Sequence, residues 1–131
     1  MAAPHPEVVD PHGPLVGRVR AICLAYPEVV EVPAWGRVTF RAGKKIFVVT
    51  GSSMDRPDTI VFKPEPADDP ALRQHPLVFV PPYFGASGWL GYELDHPATD
   101  WDEVAELIDA SYRQVALKRQ LAALDAHPVL R

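Results

Sequence analysis

Between residues 15 and 26 the apolar positions recur at helical spacing, at i, i+4, i+7, i+8 and i+11. They are Leu15, Val19, Ile22, Cys23 and Tyr26. This stripe predicts an amphipathic helix, which we expect Pro27 to end because proline lacks the backbone donor that a further turn requires. Cys23 lies within the stripe and is interpreted as a small core residue.

From residue 37 the period of the apolar pattern changes to two. Val38 and Phe40 alternate with polar neighbours, so one face of the segment is apolar and the other is polar. The pattern predicts three strands, over residues 37–41, 45–50 and 59–63. A short turn at Gly43 joins the first two strands, and the turn-rich loop 51–58 joins the second to the third. We expect these strands to form an antiparallel meander.

The second half of the chain predicts a short helix over residues 69–74, a strand over 89–94 and a long helix that begins after Asp100. Asp100 and Glu103 have the spacing of a capping box. Apolar residues repeat at helical spacing for about twenty residues beyond them. Several prolines interrupt residues 79–85, which argues against a central strand there.

Together these elements predict an α+β fold in a single domain over residues 1–131. An antiparallel sheet is expected to be covered on one face by the N-terminal helix and the long C-terminal helix. A chain of 131 residues can bury one sizeable core. Residues 1–12 and 124–131 are expected to fray.

Composition narrows the class of protein. Thirteen Lys and Arg against 17 Asp and Glu leave a net charge of −4, which excludes a uniformly basic nucleic-acid binder. No apolar run approaches the roughly 18 residues of a membrane span. The first residues lack the basic and apolar regions of a signal peptide, and a single cysteine forms no internal disulfide. We expect a soluble, cytoplasmic protein without membrane contact.

Basic residues are concentrated in the meander. Residues 35–63 hold six basic and two acidic side chains, whereas residues 64–110 hold one basic and ten acidic. The six cations are Arg37, Arg41, Lys44, Lys45, Arg56 and Lys63. They are candidates for contacting nucleic-acid phosphates, since neutralised phosphates supply most of such affinity. The alternative is a solvated strand face whose charges discourage edge pairing.

Aromatic residues near glycine- and proline-rich turns form a second candidate site. Trp35, Tyr83 and Trp89 are candidate ligand-binding residues, because such rings stack on bases or line small-molecule pockets. The alternative interpretation is that these rings pack in the core.

Catalysis, metals and cofactors find no support in the sequence. The five histidines show no HxH, HxxxH or HExxH spacing, and the lone Cys23 supplies no CxxC pair. No nucleophile, base and oxyanion donor can be named together, so no catalytic residue is assigned and an enzyme is the least favoured class.

Several short motifs, taken in order, resemble the MmcQ/YjbR-like family over about residues 15–122. They include Pro33–Gly36, Gly43–Phe47, Phe79–Gly85, Gly88–Gly91, Trp101–Leu107, Ser111–Tyr112 and Lys118–Arg119. The resemblance implies a compact α+β fold related to the frataxin/CyaY-like arrangement. It also implies DNA binding, because members of the family are described as DNA-binding proteins with a double-wing motif.

Two hypotheses of function follow. The first is a DNA-binding accessory protein that uses the loops at Gly43 and Ser52 as wings, with the six cations contacting phosphates. The alternative is a non-enzymatic module that binds a small molecule or a protein through an aromatic cleft around Trp35, Tyr83 and Trp89. A monomer or a weak dimer is expected in either case.

Overall fold

The computed structural model describes residues 6–129, which form four α-helices and six strands. The helices are α1 (Pro14–Cys23), α2 (Asp69–Leu72), α3 (Trp101–Val115) and α4 (Lys118–Ala126). The strands are β1 (Val30–Ala34), β2 (Arg37–Ala42), β3 (Lys45–Thr50), β4 (Thr59–Phe62), β5 (Val78–Phe79) and β6 (Leu90–Glu93). A 3₁₀ helix covers Phe84–Ser87.

The strands form one antiparallel sheet in the order β1-β2-β3-β4-β6-β5. The predicted meander is β2-β3-β4, and the sheet is twice as wide as the meander alone. The sequence analysis did not predict β1, because the strand contains Pro33. An edge strand tolerates proline, since the backbone groups on its outer side need no partner in the sheet. Strand β5 is the other edge and has only two residues.

One face of the sheet carries the hydrophobic core. Phe40, Val48, Phe62 and Leu90 form a row across the four central strands, and all are fully buried. Helix α3 packs on this face, where Ser111 Oγ donates to the carbonyl oxygen of Phe47. The expected α+β arrangement, with helices covering an antiparallel sheet, is therefore confirmed.

The opposite face, here called the outer face, carries the neighbouring row. Thr39, Val49, Val61 and Gly91 pair in register across the same four strands, and Phe79 of β5 pairs with Gly91. Alternation along each strand places this row on the side away from α3.

A bulge in β3 decides which residues reach the outer face. Phe40 pairs with Val48, but the next residue of β2, Arg41, pairs with Ile46, so Phe47 has no partner in β2. Phe47 and Val48 both belong to the core. Because the extra residue reverses the alternation, Ile46 lies on the outer face beside Arg41.

The C-terminal helix is divided, contrary to the single helix of about twenty residues that periodicity predicts. Ala116 and Leu117 are extended, with ψ of 149° and 158°. The turn after β2 packs against this break, because a Cβ at Gly43 would lie 2.7 Å from Leu117 Cγ. Gln120 Oε1 accepts from the backbone N–H of Leu117 and starts α4.

Parts of both terminal segments pack against the rest of the chain. Val9 is buried, and the N–H groups of Val8 and Val9 both donate to the carbonyl of Gly36. At the other end Leu124 is buried and Val129 packs against the core. The expectation that residues 1–12 and 124–131 fray stays a prediction, and residues 1–5, 130 and 131 lie outside the described residues.

Candidate functional site

The outer face has two ends, defined by the turns of the meander. The turn Gly43–Lys44 lies at one end of β3 and the loop 51–58 at the other. Six residues of strand separate them by about 17 Å. We call the end that carries Gly43 the cleft end, and the end that carries the loop 51–58 the sealed end.

At the sealed end Arg37 holds together the turn between β1 and β2 and the loop 51–58. Its Nε donates to the carbonyl of Gly51 at 2.6 Å, and its two terminal nitrogens donate to the carbonyls of Trp35 at 2.9 Å and Ser52 at 3.0 Å. Burial lowers the pKa of this guanidinium. The donors of Arg37 therefore form hydrogen bonds within the protein and are not presented to a ligand.

Arg56 is also used internally at the sealed end. Its Nη1 donates to Glu93 Oε1 at 2.8 Å, and its guanidinium carbon lies 4.0 Å from the centre of the Phe79 ring. Phe79 in turn covers Gly91, where any Cβ would overlap the ring. Gly91, Phe79 and Arg56 thus form a stack that closes this part of the outer face.

At the cleft end the outer face is open. A cavity of about 430 Å³ lies between the sheet and the 3₁₀ segment. It is lined by Ile46, Val49, Tyr83, Phe84, Ser87 and Trp89. Its volume and mainly apolar wall are typical of sites that take a small organic ring.

Tyr83 stands at this cavity in an unusual backbone conformation. Its φ is 72° and its ψ is −61°, and the N–H of Phe84 donates to the carbonyl of Pro82 at 2.8 Å. This is a γ-turn with positive φ, a rare and strained geometry. The Tyr83 side chain is 89% exposed and its ring meets that of Phe84 edge-on at 5.4 Å.

Four of the six candidate cations lie at the cleft end. Lys44 and Lys45 are exposed at the turn, and Lys63 follows the Phe62–Leu90 pair, beside Trp89. Within residues 6–129 none of the four forms an ion pair. They are Arg41, Lys44, Lys45 and Lys63. Arg41 Nε is buried and finds no hydrogen-bond acceptor within the same residues.

The structure therefore divides the residues that the sequence groups together. It brings Tyr83 and Trp89 to one cavity, but it places Trp35 at the sealed end, in the turn between β1 and β2. Arg37 and Arg56 lie at the sealed end as well. The loops at Gly43 and Ser52 lie at opposite ends of β3, and the first is a two-residue turn in which Gly43 and Lys44 both have positive φ.

Sequence reasoning missed three parts of the site. Ile46 and Val49 line the cavity because of the bulge in β3, which the alternating pattern does not reveal. Ser87 reaches it through the 3₁₀ turn that ends at Gly88, whose φ of 85° suits glycine. Neither the bulge nor this turn leaves a periodic signal in the sequence.

A second polar cluster lies on the core side of the sheet. Glu103 Oε1 accepts from Tyr92 Oη at 2.7 Å and from His75 Nε2 at 2.8 Å. Nδ1 of His75 accepts from the N–H of Leu77, so the neutral ring carries its proton on Nε2. Burial raises the pKa of Tyr92 to about 12. The cluster joins α3 to the sheet, and Glu103 serves here rather than in a capping box.

Two further features concern metal ligands and membrane spans. Among the described residues no group of three or more His, Cys, Asp and Glu is placed to hold a metal ion. Within the same residues, every helix is too short or too polar to cross a membrane.

Cys23 is fully buried, and its burial raises the pKa of the thiol well above the ordinary value, so it acts as a core residue.

Comparisons with known proteins identify the family. The YjbR family model matches residues 24–114. A comparison with curated proteins finds no significant match. Among solved structures, the chain is similar to Deinococcus radiodurans protein DR2400, described as a DUF419 domain, with a TM-score of 0.68 and 22% identity over 84% of this chain and 87% of that one. The similarity supports the fold, and the family match shows that this chain belongs to the YjbR family.

Proposed function

We propose that this protein binds nucleic acid through the cleft end of the outer face. The observation that carries the proposal is the segregation of cations on the meander. Arg41, Lys44, Lys45 and Lys63 have no ion-pair partner among the described residues and gather at one end, whereas Arg37 and Arg56 are used at the other. Cations without internal partners are the groups that can neutralise phosphates.

The proposal keeps the hypothesis of DNA binding but moves its site. Because the two loops lie about 17 Å apart at opposite ends of β3, we place the contact at one end of the sheet rather than at both loops. One end, with four cations and an open cavity, forms a compact positive surface instead. Its charge is local, since the whole chain carries −4, so binding depends on this surface and not on the net charge.

The test is fluorescence anisotropy of a labelled duplex and a labelled single strand at several salt concentrations. We expect affinity to fall with salt, with a log-log slope of about −4 for a duplex if four phosphates are neutralised. Changing Lys44→Glu and Lys45→Glu together should abolish binding. The matched control is Arg18→Glu with Arg73→Glu, which makes the same change in net charge on the exposed helical side.

A failure to bind either probe near about 50 mM salt would refute the proposal. Equal losses in the two double variants would also count against it, because they would show an effect of net charge alone.

A second candidate function is a small-molecule or protein-binding module at the same end. The cavity of about 430 Å³ favours it, because that volume suits a small ligand without phosphates. It predicts ligand-dependent changes in the fluorescence of Trp89 and indifference to nucleic acid. The anisotropy experiment therefore separates the two functions.

A further inference from the structure

The strained backbone at Tyr83 must be compensated by some other interaction or serve a function. Residues held at such angles persist where the surrounding structure fixes them, and they cluster at ligand sites. With 89% of the side chain exposed, burial of the ring does not stabilise the turn. The turn instead presents an aromatic ring at the mouth of a cavity whose floor is Ile46 and Val49.

We propose that the cleft binds one unstacked base of a single-stranded nucleic acid, with the ring of Tyr83 as a stacking surface. This inference rests on the proposed function and names its substrate class. Ile46, Val49 and Trp89 offer apolar contacts to the face of a base, and Ser87 adds a hydroxyl group to the lining. Every base has a face that stacks on an aromatic ring, so the site tolerates different sequences.

Charge complementarity supports a base within a strand rather than a neutral aromatic molecule. Arg41 pairs with Ile46 on the outer face, and Lys63 and Trp89 flank the Phe62–Leu90 pair of the neighbouring strands. Lys45 pairs with the core residue Ala42, so it lies at the same end but on the other face of the sheet. Arg41 and Lys63 thus lie on the side of the cavity, and Lys44 and Lys45 lie at the edge of the sheet at the same end. A base in the cavity would bring the phosphates on either side of it to these side chains, as the combination of stacking and backbone charge in single-strand binders requires.

The same geometry disfavours a duplex. Bases in a duplex are paired and stacked, and one must be flipped out at a cost before it can enter a cavity. Phe79 at the sealed end is covered by Arg56, and Trp35 lies about the length of β3 away from the cavity, so neither ring can stack on a base held there. Stacking of one base should raise the affinity for a strand by about 5- to 160-fold.

The experiment compares three labelled probes near about 50 mM salt: an oligothymidylate of about 12 nucleotides, an abasic strand of the same length and a duplex. We expect the oligothymidylate to bind most tightly. Tyr83→Ala should lower its affinity at least about fivefold, to the level of the abasic strand, and should leave binding of the abasic strand unchanged. Tyr83→Phe should restore the affinity because it keeps the ring.

The matched control is Trp35→Ala. Trp35 is also an exposed aromatic residue at positive φ, but it lies at the sealed end, so its loss should leave all three affinities unchanged. Equal affinities for the oligothymidylate and abasic strands, or equal effects of Tyr83→Ala and Trp35→Ala, would overturn the inference. If Lys44→Glu with Lys45→Glu still weakened both strands, the proposed function would stand without it. No binding to any probe would overturn both.

Discussion

The two ends of the outer face hold similar side chains and use them in opposite ways. At the sealed end Arg37 and Arg56 meet carbonyls, a carboxylate and the ring of Phe79, all within the chain. At the cleft end lysines and aromatic rings lie side by side, and no ion pair joins the lysines to carboxylates of the described residues. A cation paired inside the protein contributes to stability, and an unpaired one is available to a ligand.

The two ends also differ in what covers the central strands on the outer face. At the sealed end the stack of Gly91, Phe79 and Arg56 keeps water from the central strands. At the cleft end the segment around Tyr83 and Phe84 covers the sheet only in part and leaves a cavity. Substitutions that affect stability at one end and binding at the other test this division.

The largest effect on stability is expected from Gly91→Ala, which adds a methyl group beneath the ring of Phe79. The added Cβ would lie closer than 3.0 Å to the Phe79 ring, so the ring and Arg56 must move together. Overpacking of this kind should lower the free energy of unfolding by about 3 kcal/mol. Urea denaturation measures this loss of stability.

Gly17→Ala is the control, since a Cβ at this position meets nothing within 4 Å. This substitution should raise the free energy of unfolding by about 0.5–1 kcal/mol, because alanine favours the helix more than glycine does. Equal stabilities in the two variants would disprove the stack.

Arg37→Ala should have the next largest effect. It removes the donors that hold the carbonyls of Trp35, Gly51 and Ser52. Leaving these partly buried carbonyls without donors should cost about 2 kcal/mol of stability. Affinity for nucleic acid should not change, in contrast to the sequence-based interpretation of Arg37 as a phosphate contact. A stable variant with weakened binding would reverse the assignment of this residue.

The division between the ends shows where sequence reasoning succeeds. Alternation around Val38 and Phe40 predicts the meander, because a strand with one buried face must repeat with period two. The stripe through Val19 and Cys23 predicts α1 in the same way. These are local patterns, and the structure confirms both elements, although α1 ends at Cys23 rather than at Pro27.

Long-range contacts decide the rest. The sequence alone presents Arg56 as a free cation. The fold brings Glu93, 37 residues away, to within hydrogen-bond distance of it. The break between α3 and α4 carries no glycine or proline, and it arises where Leu117 packs on Gly43. The cavity needs the bulge that turns Ile46 outward. None of these contacts leaves a periodic trace in the chain, so the sequence shows the cations and the aromatic residues but not how the fold divides them between the two ends.

Two substitutions that each remove one positive charge sharpen the comparison of the cations. Lys63→Gln should reduce the magnitude of the salt slope for a single strand by about 0.7, because one phosphate contact is lost. Arg56→Gln, at the sealed end, should leave that slope unchanged. Anisotropy titrations over a range of salt concentrations measure both. A smaller slope in Arg56→Gln would mean that the sealed end also contacts phosphates.

The smallest change in stability is expected at Tyr83, where the sign of the change in the free energy of unfolding is informative. Tyr83→Gly removes a side chain from a backbone that glycine adopts without strain, which should raise the free energy of unfolding by about 0.5–1 kcal/mol after the entropic cost of glycine. The same variant should bind oligothymidylate no better than an abasic strand. A thermal melt and one anisotropy titration suffice. Higher stability with weaker binding would show that the strain at the cleft end is kept for a ligand, whereas lower stability would mean that the Tyr83 ring supports the 3₁₀ segment.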